Sequence, residues 1–206
     1  WNGATLSGSD NIVFKITDAA GNDSSTTGST AYVLDTTAPT LTVSSVSLSA
    51  DTGTSSTDEI TKTASQTISG TLSGALASGD ILYGSVNNGS SWTDITSKVS
   101  SDTAISWNGA TLSGSDNIVF KITDGTGNDS STTGTTAYVL DTTAPTVNSF
   151  TISDELLTIG ETATVDLVFS EAVFGFASAA DITDPSGTLA AMTSSDNITW
   201  TGTFTP

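Results

Sequence analysis

Cysteine, histidine and arginine are all absent from this 206-residue chain, and lysine occurs only at Lys15, Lys62, Lys98 and Lys121. Without cysteine there is no disulfide, no thiol nucleophile and no thiolate metal ligand. Without histidine the commonest proton shuttle is gone, so acid–base chemistry would rest on carboxylates alone. A carboxylate pair of the glycosidase kind is not excluded by count, but nothing in the sequence marks one pair out. The shortage of cations leaves a formal charge of −18. Nucleic acid is thereby excluded as a partner, because phosphate neutralisation needs Lys and Arg. Anionic membrane surfaces fall on the same ground. No apolar run reaches the length of a membrane span, and no secretion signal is visible at the start. What such a surface attracts is cations.

What the chain does contain is a repeat. Trp1–Thr40 returns as Trp107–Thr146 with three differences, Ala19/Gly125, Ala20/Thr126 and Ser29/Thr135. Beyond Thr146 the likeness stops, since Leu41-Thr-Val-Ser has no counterpart in Val147-Asn-Ser-Phe. The expected organisation is the back part of one repeat (1–38), one complete repeat (39–144) and the start of a different module (145–206). A chain so divided reads as a window on a longer array.

The local patterns are those of strands. Ile12, Phe14 and Ile16 alternate with Val13, Lys15 and Thr17, as a half-buried strand requires, and Ile118, Phe120 and Ile122 repeat the pattern. Asp18-Ala-Ala-Gly-Asn22 and Asp124-Gly-Thr-Gly-Asn128 supply turn chemistry, and Asn2-Gly3 and Asn108-Gly109 read as tight turns after a tryptophan. Further strands are expected at Leu41–Leu48, Gln66–Leu72, Ile81–Val86, Trp92–Ile95 and Ala104–Trp107. About seven short strands with frequent turn signals predict an all-β, antiparallel sandwich. In the closing module Ala163, Val165, Leu167 and Phe169 form one apolar face. Phe174, Phe176, Ile182, Leu189, Met192, Trp200 and Phe204 are the expected remainder of a core.

Each repeat exits through Asp35-Thr-Thr-Ala-Pro39 or Asp141-Thr-Thr-Ala-Pro145. Proline fixes φ and biases its predecessor to extended backbone, so this segment reads as a stiff connector. The aspartate at its entrance suggests calcium, a hard cation that takes six to eight oxygens from carboxylates, amides, carbonyls and water. The Asp18 loop and the Asp35 exit are expected at nearby strand ends. The competing reading is that these are ordinary turn aspartates.

Asn88-Gly-Ser-Ser-Trp92-Thr, Ile122-Thr-Asp124-Gly-Thr-Gly-Asn128 and Asp141-Thr-Thr-Ala-Pro145 resemble the bacterial Ig-like repeats of giant surface adhesins. Leu157-Thr-Ile-Gly-Glu161, Phe169-Ser-Glu171-Ala-Val and Thr199-Trp-Thr-Gly-Thr-Phe204 resemble a second bacterial Ig-like type. The resemblance implies tandem Ig-like sandwiches arranged end to end, projecting from a cell surface, secreted, calcium-stiffened and non-enzymatic. The lack of cysteine suits such proteins. It also implies two interdomain metal sites. The first would use Asp18, Asn22 and Asp35 with Asp51 or Asp58. The second would use Asp124, Asn128 and Asp141 with Asp154.

Two functions are thus in play. One is a structural spacer of an adhesin or biofilm protein, whose partners are calcium ions and neighbouring repeats. The other is an Ig-like module that binds a surface glycan or protein directly, for which Trp1, Trp92, Trp107 and Trp200 are the sugar-stacking candidates. Near-identity of the copies favours the spacer, since arrays of spacers need sameness. Strand donation between chains is a third, outlying possibility.

Overall fold

The computed structural model describes residues 2–25, 28–183 and 186–206. It divides into two compact units, one running to Asp141 and the other from Thr142 to Pro206. The first unit opens with a hairpin, β1 (Ser9–Phe14) and β2 (Gly28–Val33). There follow β3 (Val43–Leu48), β4 (Ile60–Thr61), β5 (Ser65–Leu72), β6 (Ile81–Ser85) and β7 (Thr93–Asp94). A 3₁₀ turn at Thr96–Lys98 leads to β8 (Val99–Ser100), β9 (Ala104–Thr111), β10 (Ser115–Thr123) and β11 (Thr133–Leu140). Strands β3 to β11 form two sheets, ordered β3-β5-β9-β8 and β4-β11-β10-β6-β7. Every pairing is antiparallel except β4 with β11.

Alternation explains the core between them. Ile68 from β5, Leu82 from β6, and Ile118, Phe120 and Ile122 from β10 are all fully buried. Trp107 on β9 meets Phe120 edge-on, with ring centroids 6.4 Å apart at 72°, a favoured aromatic geometry. Gly84 on β6 makes room for that indole. A Cβ at Gly84 would lie 2.6 Å from a Trp107 ring carbon. Tyr138 on β11 is buried and donates its hydroxyl to the Val86 carbonyl at 2.8 Å, tying β11 to the end of β6.

The repeat supplies an internal comparison. Hairpin β1–β2 pairs Ser9↔Val33, Asp10↔Tyr32, Asn11↔Ala31 and Ile12↔Thr30. Hairpin β10–β11 pairs Ser115↔Val139, Asp116↔Tyr138, Asn117↔Ala137 and Ile118↔Thr136, the same register. They part at one point. The second ladder shifts between Ile118 and Phe120, where Gly134 takes φ +64°. The first runs unbroken through Phe14↔Gly28. At Gly134 a Cβ would sit 3.0 Å from both Phe120 and Val43, so the bulge belongs to the packing of β10–β11 on β3. In the first hairpin that packing is missing, and Val13, Phe14, Ile16 and Val33 are 56–72% exposed.

The second unit holds β12 (Val147–Ile152), β13 (Ala163–Phe169), a helical turn α1 (Ser178–Asp181), β14 (Thr188–Leu189) and β15 (Thr199–Thr205). The strands form one antiparallel sheet ordered β12-β13-β15-β14. Val165, Leu167 and Met192 are its buried centre, with Phe169, Phe176, Ile182, Leu189, Trp200 and Phe204 against them.

Two sequence expectations are corrected. Asn108-Gly109 is no turn: it lies inside β9, where Gly109 at φ +82° opens a bulge between Thr67↔Asn108 and Gln66↔Ala110. Phe174 is not core, being 65% exposed. The clearance at Gly84 yields a stability test. Gly84→Ala should cost about 1–3 kcal/mol by overpacking against Trp107, read as a lower urea midpoint with an unchanged slope.

Candidate functional site

The Asp-x-x-Gly-Asn loop is held by its own aspartate. Asp124 Oδ1 accepts the Thr126 and Asn128 backbone N–H groups, both at 2.9 Å, and the Thr126 hydroxyl at 2.8 Å. Asp124 Oδ2 accepts the Asn128 side-chain amide at 2.8 Å. Asp18 does the same with Ala20 and Asn22. The Asn side-chain bond foremost, then the backbone N–H groups, hold both carboxyls well below the usual range. Gly21 and Gly127, at φ +89° and +95°, close the two turns.

Hairpin topology places these loops away from the connectors. A loop joining two antiparallel strands sits at one end, and the chain enters and leaves at the other. Asp124 follows β10 and Asp141 follows β11, so about 25 Å of strand lies between them. Asp18 and Asp35 are separated in the same way by β1 and β2. One ion with metal–oxygen distances near 2.4 Å cannot take both members of either pair. The expected grouping of Asp18 and Asn22 with Asp35, and of Asp124 and Asn128 with Asp141, is therefore corrected.

Different neighbours are brought together instead. Asn128 reaches the first connector, donating its side-chain amide to the Asp35 carbonyl at 3.2 Å. The Asp35 carboxylate turns onto its own segment and accepts Thr37 N–H at 2.9 Å. The acidic loop after β3 lies at the opposite end, beside Asp141. There Val139 N–H donates to the Glu59 carbonyl at 3.1 Å and Asp141 N–H to the Thr61 carbonyl at 2.9 Å. Asp51 and Asp58 thus group with Asp141 rather than with Asp35. In the second unit Asp154 Oδ1 accepts Leu156 N–H at 2.9 Å.

Inside the acidic loop, Asp51 Oδ2 accepts the backbone N–H groups of Asp58 and Glu59, at 3.1 and 3.2 Å. Asp51 Oδ1 is buried with no hydrogen-bond partner. Glu59, at φ +58°, accepts Leu48 N–H at 3.0 Å. Burial first, then the nearby charges of Asp51 and Asp58, push its carboxyl above the ordinary value. The loop is clamped to β5 by buried Gln66, which accepts from Ser49 and Ala50 and donates to the Ala50 and Thr63 carbonyls. Among the described residues, no three acidic side chains gather closely enough to hold a metal ion unaided. Sequence reasoning had passed over Glu59 and Gln66. A glutamate next to Asp58, and a lone glutamine opening a Ser/Thr-rich strand, were the available signals.

Two family matches accompany this geometry. Residues 2–91 match a family described as bacterial Ig-like domain (group 3), and residues 141–206 match another described as bacterial Ig-like domain. Over both of these stretches the chain is bacterial Ig-like in sequence. No curated protein and no solved structure is significantly similar to it.

In Ig terms β3-β5-β9-β8 is the A-B-E-D sheet, and β11-β10-β6 supplies G, F and C. The second unit's β12-β13-β15-β14 repeats the A-B-E-D order. The buried tryptophan of this Ig-like domain stands on strand E, and its contact with Phe120 on strand F joins the two sheets, which antibody domains link by a disulfide between strands B and F. Strand F also carries Lys121. Its ammonium pairs with Asp129 at 2.7 Å and lies over the rings of Trp92 and Tyr83, at 5.1 and 5.4 Å. Trp92, Trp107 and Trp200 are all half-buried or buried, leaving no exposed indole among the described residues, and Trp1 lies outside them. Bacterial Ig-like domains are common on extracellular and surface proteins and typically serve as structural modules. No helix here is long and apolar enough to cross a membrane.

Glu59 predicts a pH signature. A carboxyl raised in the folded state favours folding below its unfolded value near 4.5 and loses that advantage as pH rises through the folded value. Glu59→Gln should match the wild type at pH 3.5 and be the more stable protein at pH 7. Urea midpoints of both proteins across about pH 3.5–7 would test this.

Proposed function

We propose that this chain is a structural spacer of an extracellular bacterial surface protein, with calcium drawing its acidic ends tighter. The observation that carries the spacer reading is the pair of near-identical copies. Their three differences, at 19/125, 20/126 and 29/135, all avoid the apolar face that packs the sandwich. A recognition surface would need a place where copies differ; a spacer needs copies that are alike.

The calcium reading rests on the loop beside Asp141. Asp51 Oδ1 has lost water without gaining a donor, and Asp58 and Glu59 add negative charge next to it. Such a carboxylate is costly unless a cation joins it. Asp51 would anchor the ion, with backbone carbonyls and water completing its oxygen shell and the charges of Asp58 and Glu59 drawing it in. At the other end Asn128 and the Asp35 carbonyl already form a joint without metal.

The test is thermal melting and small-angle scattering of the chain in millimolar calcium and in excess chelator. Calcium should raise the melting temperature and lengthen the particle. A hundredfold excess over Kd would add about 2.7 kcal/mol. Asp51→Asn should remove most of the gain. An unchanged melt and an unchanged scattering profile would make these aspartates turn residues and nothing more.

A further inference from the structure

We propose that Asn108-Gly109, at the bulge of β9, is a site of spontaneous modification, where the asparagine loses its amide and the main chain is lengthened. The sequence holds three Asn-Gly pairs, at 2–3, 88–89 and 108–109. Such pairs are labile because glycine has no side chain to keep its nitrogen away from the preceding amide carbon. The Gly109 nitrogen attacks Asn108 Cγ. An N–C bond forms as the Cγ–Nδ2 bond breaks, and the glycine's amide proton leaves with Nδ2 as ammonia. Water then opens the cyclic imide at either carbonyl. One opening gives aspartate. The other gives isoaspartate, in which the main chain runs through the former side chain and is longer by a methylene.

The fold treats the two pairs of the complete domain differently. Gly89 is held, its N–H donating to the hydroxyl of buried Ser85 at 2.9 Å. Asn88 is pinned by its own N–H, which donates to the Asn117 carbonyl at 3.0 Å. A Cβ on Gly89 would lie 3.1 Å from the Trp92 ring, so that backbone has little room to turn. Closing the imide there would break these contacts. Asn108 and Gly109 are both exposed, and among the described residues the Asn108 side-chain amide has no hydrogen-bond partner. Gly109 is the extra residue of the bulge, opposed by nothing between Thr67↔Asn108 and Gln66↔Ala110. On the other edge β8 pairs with β9 only at Ala104 and Ile105, short of the site. Nothing lies within 4 Å of where a Gly109 Cβ would be. The peptide is therefore free to rotate and bring nitrogen and Cγ together, while the ladder on either side of the bulge stays paired. Trp107 precedes the site, so a longer main chain here disturbs the residue that joins the sheets. Each event also adds a carboxylate to a chain already at −18.

The sparse lysines make the test direct. When the full chain is aged in mildly alkaline buffer, then denatured and cut with trypsin, Asn88 and Asn108 fall on separate peptides, 63–98 and 99–121. Mass spectrometry reads the exchange of amide for acid, and enzymatic methyl labelling of isoaspartate reads the lengthened product. In urea both pairs should convert at similar rates, since glycine follows each asparagine. In the folded chain Asn108 should keep at least about a tenth of its urea rate, while Asn88 slows by about a hundredfold or more. Ser85→Ala should bring Asn88 to within about tenfold of Asn108 by freeing the Gly89 N–H. The isoaspartate fraction should melt below Asn108→Asp, because that variant gains the charge without the methylene. An Asn108 rate in the folded chain below a tenth of its urea rate, equal rates for the two pairs in the folded chain, or aspartate as the sole product would overturn the proposal.

Discussion

Phe120 set against Trp107 is the contact on which the sandwich depends. It joins the two sheets at their centre, and the surrounding backbone is shaped to admit it. Gly84 leaves space on one side of the indole, and Gly134 bulges so that Val43 can reach the phenyl ring. The first hairpin shows what happens without it. The same residues in the same order make the same ladder, yet the bulge is absent and Val13, Ile16 and Val33 are exposed. Local sequence therefore specifies the hairpin, while the bulge is a response to packing. A cavity or an overfilled position at this point would uncouple two sheets rather than loosen one.

The loops divide into two kinds by the way their carboxylates are satisfied. Asp18 and Asp124 close their own turns, and every oxygen has a donor from the loop itself. Their acidity is spent on conformation. Asp51 is different, because one oxygen braces the loop and the other is buried without a partner. An acidic sequence thus carries its electrostatic cost at one end of the complete domain and little of it at the other. Only the unsatisfied kind offers a cation something the fold has not already provided.

Much of the fold was legible because strand alternation is a local property. The Ile118-Phe120-Ile122 stripe, the Gly127 turn and the Ala163–Phe169 strand all appear where periodicity puts them. What escaped has physical reasons. Strands β4 and β8 are two residues each, too short for any period to register. Asn108-Gly109 carries the chemistry of a tight turn, but the same positive φ serves a bulge within a long strand. The site was harder to read, because sequence adjacency says which residues share a loop and not which end of a sandwich that loop occupies. Asp124 and Asp141 are close in sequence and a strand length apart in space. Asn128 and Asp35 are distant in sequence and hydrogen-bonded.

The placement of Lys121 has a consequence for durability. Proteases that cut after basic residues would find only four such positions in the whole chain. Lys121 lies within the central strand of a sheet, its ammonium held by Asp129 and covered by two aromatic rings. Cleavage there requires β10 to leave the sandwich, because a protease must bind an extended, unpaired segment. Resistance at that bond is therefore set by how often the domain opens and not by how often the enzyme collides with it.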